Sequence, residues 1–387
     1  MYKYPKCPTP PMGWNSYYTV NCSPTEELLI QAADLLCDLG LKDAGYEFVN
    51  LDDGWIEPER DKNGNLVARK ESFPHGMKYI TDYIHKKGLK AGTYLGAGLY
   101  TWNGDAGSLN HEYEDARQLA EWGFDYLKYD RHPMEEDPPR DTVAEYIKMG
   151  LAIRDCGRDI IYNLCEHGTT SPWLWAAPAG QLWRIGADIR DAWYSKTNNG
   201  CLGIMDIIDN YAEKTCAYGS VGCHNDPDML ICGMRKQNDW SGPGCNDIEY
   251  KSAFSLWCLL SAPLLIGKDL RKMDKATLEI LTNPRLIQIN QDQLCIPAKR
   301  VYHDANSHDI WVKQLDNVRW CVGIVNRAEQ KQTLGFEMSQ LHLTPAVTSK
   351  LTDAWTNEIL CERLTTGEYA TEVDSHETKV IFIDPIL

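Results

Sequence analysis

Short apolar runs, each closing on polar or small residues, recur along the chain as far as residue 266. They are Met12–Tyr17, Phe48–Asp53, Lys90–Tyr94, Tyr126–Asp130, Ile160–Cys165, Leu182–Asp188, Gly222–Asp226 and Ala262–Ile266. Each is strand-sized, and together they read as strands buried on both faces. Apolar residues at helical spacing fill most of the gaps, over Thr25–Leu39, Met77–Lys87, Glu112–Trp122, Thr142–Cys156, Ile204–Thr215 and Ile248–Leu260. Strand-like runs alternating with helices predict an α/β fold with a parallel sheet. Eight such strands close into a (β/α)8 TIM barrel.

From about Cys295 the pattern changes. Arg300–Tyr302, Ile310–Gln314, Arg319–Asn326, Gln332–Phe336, Lys350–Asp353 and Lys379–Ile383 read as strands joined by polar turns, with no helix of useful length. The chain is therefore expected to divide into a barrel over residues 1–294 and a smaller antiparallel β-sandwich domain over 295–387.

Composition narrows the function classes. With 39 basic against 55 acidic residues the net charge is −16, which disfavours nucleic acid and anionic membranes as partners. No apolar stretch is long enough to span a bilayer, and no signal-like segment follows Met1. A soluble, cytoplasmic protein is expected. The 14 cysteines are scattered, form no CxxC pair and read as buried free thiols. The oligomeric state stays open, with a homo-oligomer as one alternative. Thirteen Trp and 20 Tyr against six Phe supply amphipathic rings of the kind that stack on sugar faces, although packing accounts for most of them.

A barrel brings its strand ends to one face. There the chain would gather Trp14, Tyr17, Asp52, Asp53, Tyr94, Lys128, Asp130, Cys165, Glu166, Arg184, Asp188 and Asp226. Carboxylates held close cannot all ionise easily, so such a cluster sorts into acid and base roles. These residue types suit cleavage of a glycosidic bond: one carboxylate attacks the anomeric carbon and a second, protonated, supplies the leaving oxygen with a proton. No HxH or HExxH pattern stands at a strand end, so neither metal nor other cofactor is expected. Plainer readings exist for single members: a turn for Asp52 and Asp53, a structural ion pair for Arg184, core packing for Cys165.

Gly45-Tyr-Glu-Phe-Val-Asn-Leu-Asp-Asp-Gly-Trp55 resembles the melibiase signature of glycoside hydrolase family 27, the α-galactosidases and α-N-acetylgalactosaminidases. Thr9-Pro-Pro-Met-Gly-Trp-Asn-Ser16, Phe73-Pro-His-Gly-Met-Lys78, Asp125-Tyr-Leu-Lys-Tyr-Asp130, Trp183-Arg-Ile-Gly-Ala-Asp-Ile189, Asn225-Asp-Pro-Asp-Met-Leu230, Ala262-Pro-Leu-Leu-Ile-Gly267 and Asn290-Gln-Asp292 follow that family's order. The resemblance implies a barrel and double displacement with retention, the two carboxyls about 5–5.5 Å apart. It implies Asp130 as nucleophile and Asp188 as acid/base. Asp52 and Asp53 would grip hydroxyls near C4 and C6, with Lys128, Arg184 and Asp226 as further ring contacts. Cys165-Glu166 matches the α-galactosidase form of the pair beside C2.

The chain also departs from the family. One family disulfide would join the positions occupied here by Trp102 and His132, both of which face the sugar in relatives. The usual partner of Cys22 is Gly54. Tyr17 and His224 replace tryptophans, and Gly96 replaces an aspartate. An exo-acting, retaining α-galactosidase is therefore the expected function. A β-L-arabinopyranosidase, an α-N-acetylgalactosaminidase or a catalytically silent sugar-binding protein are its rivals.

Overall fold

A computed structural model describes residues 7–132, 137–195, 200–238, 241–344 and 347–386. Eight strands form one sheet: β1 (Met12–Asn15), β2 (Phe48–Asn50), β3 (Lys90–Gly96), β4 (Tyr126–Asp130), β5 (Ile161–Cys165), β6 (Leu182–Arg184), β7 (His224–Asp226) and β8 (Leu264–Ile266). Neighbours pair in parallel in the order β7-β6-β5-β4-β3-β2-β1-β8. The circle closes through Leu230, just past β7. Its N–H donates to the Leu265 carbonyl at 2.7 Å, and its carbonyl accepts from Gly267 N–H at 2.9 Å.

Period-two alternation decides what enters the barrel. On β4, Tyr126, Lys128 and Asp130 share the inner face. Tyr129 points the other way, onto Tyr146 of the helix Thr142–Asp155, with ring centroids 5.7 Å apart. Helices start where capping chemistry places them. Thr25 accepts from Leu28 N–H to open Glu26–Asp38, and Asn246 forms a capping box with Glu249 to open Asp247–Leu259.

Several elements differ from the sequence expectation. β6 ends at Arg184, so Asp188 stands on the following loop, and Tyr17 starts a single helical turn, Tyr17–Val20. The helix expected over Ile204–Thr215 carries a π-helical turn at Ile208–Ala212. Two short helices, Lys275–Leu281 and Pro284–Asn290, follow β8 and have no counterpart in the sequence reading.

The C-terminal part is antiparallel: β9 (Lys299–His303), β10 (His308–Gln314), β11 (Trp320–Asn326), β12 (Gln332–Glu337), β13 (Ser349–Asp353), β14 (Ile359–Leu364), β15 (Glu368–Val373) and β16 (Thr378–Pro385). Six strands run in the order β14-β13-β16-β11-β10-β9, while β12 and β15 form a separate pair. Ile310, Val322, Phe336 and Ile381 belong to the core between them. β14 and β15 were not expected. Both are largely exposed, and in β14 the apolar residues Ile359, Leu360 and Cys361 are consecutive rather than alternating.

Polar side chains join the two parts. Arg327, buried in the β domain, donates to both carboxylate oxygens of Asp209 in the π turn, at 2.9 and 2.6 Å, and to Asp309 at 2.7 Å. Buried Lys313 donates to Ser261 Oγ and, at 2.8 Å, to the Ile296 carbonyl, and burial pushes its ammonium down to about 8. Among the described residues no helix is long and apolar enough to cross a membrane.

Candidate active site

A cleft of about 570 Å³ opens at the C-terminal ends of the strands, where such barrels carry their chemistry. Ten of the residues that line it were picked from the sequence: Tyr17, Asp52, Asp53, Tyr94, Trp102, Lys128, Asp130, His132, Arg184 and Asp188. Strand alternation supplies four of them, Tyr94, Lys128, Asp130 and Arg184, and the segments just beyond the strand ends supply the others. Tyr94 of β3 sits level with Lys128 of β4, and Gly96 level with Asp130.

Lys128 anchors one side. Its ammonium donates to Asp52 Oδ2 at 2.9 Å and lies 5.6 and 5.3 Å from the ring centres of Tyr17 and Tyr94. Asn15, on the inner face of β1, donates to the same Asp52 oxygen at 2.8 Å. Asp53 accepts from the N–H groups of Gly54 and Asn103 at 2.8 and 2.9 Å. Burial nevertheless pushes its carboxyl up to about 7, because a charge there loses its water.

Asp130 accepts from the Tyr94 hydroxyl on Oδ2 at 3.0 Å, and His167 Nε2 lies 3.0 Å from Oδ1. Burial alone would raise the Asp130 carboxyl. The hydrogen bond and charge of His167, with Lys128 and Tyr94, outweigh it and hold the group well below the usual carboxylate range. Asp188 accepts from Arg184 Nη2 at 2.9 Å, and His167 Nδ1 lies 3.8 Å from the same oxygen. Loss of water would raise Asp188 as well, yet Arg184 and then His167 hold it down. Its side chain remains half exposed to the cleft, so solvent screens part of that effect.

Four expected residues do not line the cleft. Trp14 is fully buried and donates from its indole to the Lys268 carbonyl at 3.0 Å. It alternates with Asn15, which takes the inner position. Cys165 does point inward, but beneath the surface, where Arg184 Nη1 reaches its sulfur at 3.5 Å. Burial pushes that thiol up to about 11, so it is neutral. Glu166 turns back on its own loop, where Oε2 accepts from Thr169 Oγ1, Thr170 N–H and Thr170 Oγ1 at 2.7, 2.9 and 2.9 Å. Asp226 faces Asn163, whose Nδ2 donates to it at 2.8 Å, in a small hollow under the cleft. The cleft wall carries Asp228 and Met229 instead.

The departures have local causes. A side chain at Gly96 would meet Tyr100 and Thr101, with its Cβ 2.9 Å from Thr101 Cα. At Gly54, φ is +94° and a Cβ would lie 2.2 Å from the Cys22 carbonyl oxygen, so the family's cysteine does not fit there. All 14 cysteines are free thiols. His224 is buried away from the cleft with Nε2 3.0 Å from the Cys7 carbonyl oxygen, and burial pushes it down to about 4.

Sequence reading missed His167, Asp228 and the neighbours of Asp188 on one wall, Ala187, Ile189 and Arg190. Asp228 stood inside a quoted motif. His167 had only its place two residues beyond a strand end as a signal. Asp209, His303 and Asp309 also converge, but Arg300 and Arg327 already supply their counter-charge. Nothing in that donor set calls for a cation.

Comparison with known proteins agrees with this geometry. Residues 9–292 match the family model Alpha galactosidase A, and residues 305–383 match the Alpha galactosidase C-terminal beta sandwich domain. An alpha-galactosidase of Oryza sativa subsp. japonica is 38% identical over 378 residues, covering 97% of this chain and 85% of the relative. Alpha-galactosidase I of Mortierella vinacea superposes with a TM-score of 0.91 at 29% identity, over 97% of both chains. The alpha-galactosidase of Saccharomyces cerevisiae solved with raffinose gives 0.89 at 26% identity, over 100% of both chains. With a barrel, a sandwich and a carboxylate-lined cleft in the matching places, the chain belongs to glycoside hydrolase family 27, among the α-galactosidases.

Proposed function

We propose that the protein is a retaining, exo-acting α-galactosidase that removes terminal α-galactosyl residues from small oligosaccharides or glycosides. The observation that carries this reading is the pair Asp130 and Asp188, which share one cleft with an imidazole between them. Asp130, held ionised, attacks the anomeric carbon as the glycosidic bond breaks, and Asp188, which must first take up a proton from solvent against the pull of Arg184 and His167, gives it to the leaving oxygen. Water then loses a proton to Asp188 and attacks the same carbon. The ester to Asp130 is released and the α-configuration restored.

Asp52 and Asp53 supply acceptors for sugar hydroxyls, and Lys128 holds Asp52 in place. Galactose is favoured over a pentopyranose because the short carboxylates of Asp52 and Asp53 leave room in the cleft for a hydroxymethyl group, while Trp102 stays half exposed. A raffinose-type galactoside, the ligand solved with the Saccharomyces enzyme, fits as the substrate class. A reducing compartment such as the cytoplasm is consistent with 14 unbridged thiols.

The test is turnover of p-nitrophenyl α-galactoside, with the first-formed anomer read by NMR. α-Galactose is expected first. Asp130→Ala should be inactive and partly rescued by azide as the β-galactosyl azide. Release of the β-anomer, or faster cleavage of the β-L-arabinopyranoside, would overturn the reading.

A further inference from the structure

The loop that follows β5 is held in an unusual way. His167 has a left-handed backbone with φ of 60°, and Gly168 follows at 73°. A non-glycine residue in that region is strained and persists only where its surroundings over-determine it. Here they do. Glu166 clasps Thr169 and Thr170 on one side of His167. On the other side Gly168 lies so close to β6 that a Cβ would be 2.3 Å from the Ile185 carbonyl oxygen.

The effect of this bracing is to aim one ring at two acids. Nε2 lies 3.0 Å from Asp130 Oδ1 and 3.6 Å from Cys165 Sγ, and Nδ1 lies 3.8 Å from Asp188 Oδ1. We propose that His167 is a positioning residue for the reaction, its charged imidazole fixing the Asp130 carboxylate through Nε2 and coupling to Asp188 through Nδ1. The proposal rests on the roles given above to Asp130 and Asp188.

The surroundings support a charge on the ring. Burial opposes it, but the neutral Cys165 sulfur can accept its N–H, and the hydrogen-bonded Asp130 carboxylate favours the charge; the imidazole is held above its usual range. The other groups facing it are Asp188 and Arg184 from β6 and its loop, and Lys128 and His132 from β4 and its loop. Arg184 is already committed to Asp188 and Asp228, at 2.9 and 3.2 Å, and Lys128 to Asp52. His132 is held down by burial and faces Asp130 uncharged. His167 is thus the cation in direct contact with the nucleophile.

The sign of the consequence is fixed. Removing the imidazolium removes a favourable partner of both carboxylates, so both acids hold their protons to higher pH. The bell-shaped profile of kcat/KM, which reports the acid and base of the free enzyme, should move to alkaline pH on both limbs. A displacement of about 1 unit or more is expected for an opposite charge at this range.

The experiment uses His167→Phe, which keeps a ring, and His167→Gln, which keeps a neutral donor, with p-nitrophenyl α-galactoside as substrate. Both profiles should move upward, with kcat better retained in H167Q because it can still donate to Asp130. Nitrogen-15 NMR of histidine-labelled wild type should show a doubly protonated imidazole at pH 7 that is missing from H167Q. This readout does not depend on either variant being active. Profiles that stay in place in two folded variants, or a neutral His167 at pH 7, would overturn the proposal. If Asp130→Ala keeps full activity, it is the assignment of the nucleophile that fails, and the NMR result still stands separately.

Discussion

The indole of Trp102 meets the ring of His132 edge to face, with centroids 4.1 Å apart and planes at 90°. The family resemblance implies a disulfide between these two places. Here an aromatic pair does the joining, and it leaves Trp102 51% exposed at the cleft. An exposed indole beside a sugar site offers its face to whatever is attached to the galactose. Trp102→Ala should raise KM for raffinose roughly two- to tenfold, the worth of one stacked ring at about 0.5–1.5 kcal/mol. Methyl α-galactoside, which has nothing to stack, should be unaffected. Equal losses on both substrates would place Trp102 at the galactose itself.

Asp53 links stability to pH. Its carboxyl is pushed up to about 7 by burial, whereas in the unfolded chain it ionises near 3.9. Between those values the unfolded chain binds fewer protons, so stability falls as pH rises, and the loss is complete above pH 7. Asp53→Asn does not titrate. Measured by urea unfolding, stability of the variant relative to wild type should improve from pH 4 to pH 8. The bound is about 4 kcal/mol, at ~1.36 kcal/mol per unit. A difference that stays flat with pH would contradict this.

Gly54 settles the fate of Cys22. Restoring the family's residue by Gly54→Cys should not make a disulfide, because the left-handed backbone and the Cys22 carbonyl at 2.2 Å leave no room for the new Cβ. The variant should lose about 1–3 kcal/mol of stability and keep 15 titratable thiols, one more than the 14 of the parent. A count of 13 under denaturing, non-reducing conditions would show that the bridge forms after all.

Arg327 carries the junction between barrel and β domain. Its side chain is 2% exposed, and its loss leaves Asp209 and the fully buried Asp309 carboxylate to Arg300 and His303. Arg327→Met should cost about 3–5 kcal/mol, the usual penalty for breaking a buried pair from one side. Pairing it with Asp309→Asn should recover part of the loss in a double-mutant cycle. A denaturation midpoint unchanged in R327M would mean that the remaining links, such as Arg300 with Asp209 and Lys313 with Ser261, suffice to hold the two parts together.

How much of this could be read from the sequence depended on periodicity. Lys128 and Asp130 were legible because charged residues at every second position of an apolar run must face one way, and the motif around them gave that way a meaning. Asp188 was found by its motif, although it stands on a loop rather than at a strand end. Where the chain leaves the strand, parity stops working. Glu166 was read into the pocket and His167 passed over. The left-handed turn at His167 swings one side chain in and lets its neighbour fold back on two threonines. The same holds at β7, where Asp226 was chosen and Asp228, with φ of 85°, reaches the cleft. β14 and β15 went unseen because both are exposed and their apolar residues do not mark one face: Ile359, Leu360 and Cys361 of β14 run consecutively.

The closure of the barrel bears on how the molecule breathes. Seven of its eight seams are ladders of paired strands, whereas the last is held by the two backbone hydrogen bonds of Leu230. Opening free energies vary across a fold, and sparsely bonded places open first. The weakest seam lies directly after Asp228 and Met229. One wall of the sugar cleft is therefore hinged to the part of the circle that costs least to part, and amide exchange at Leu230 and Gly267 would keep time with it.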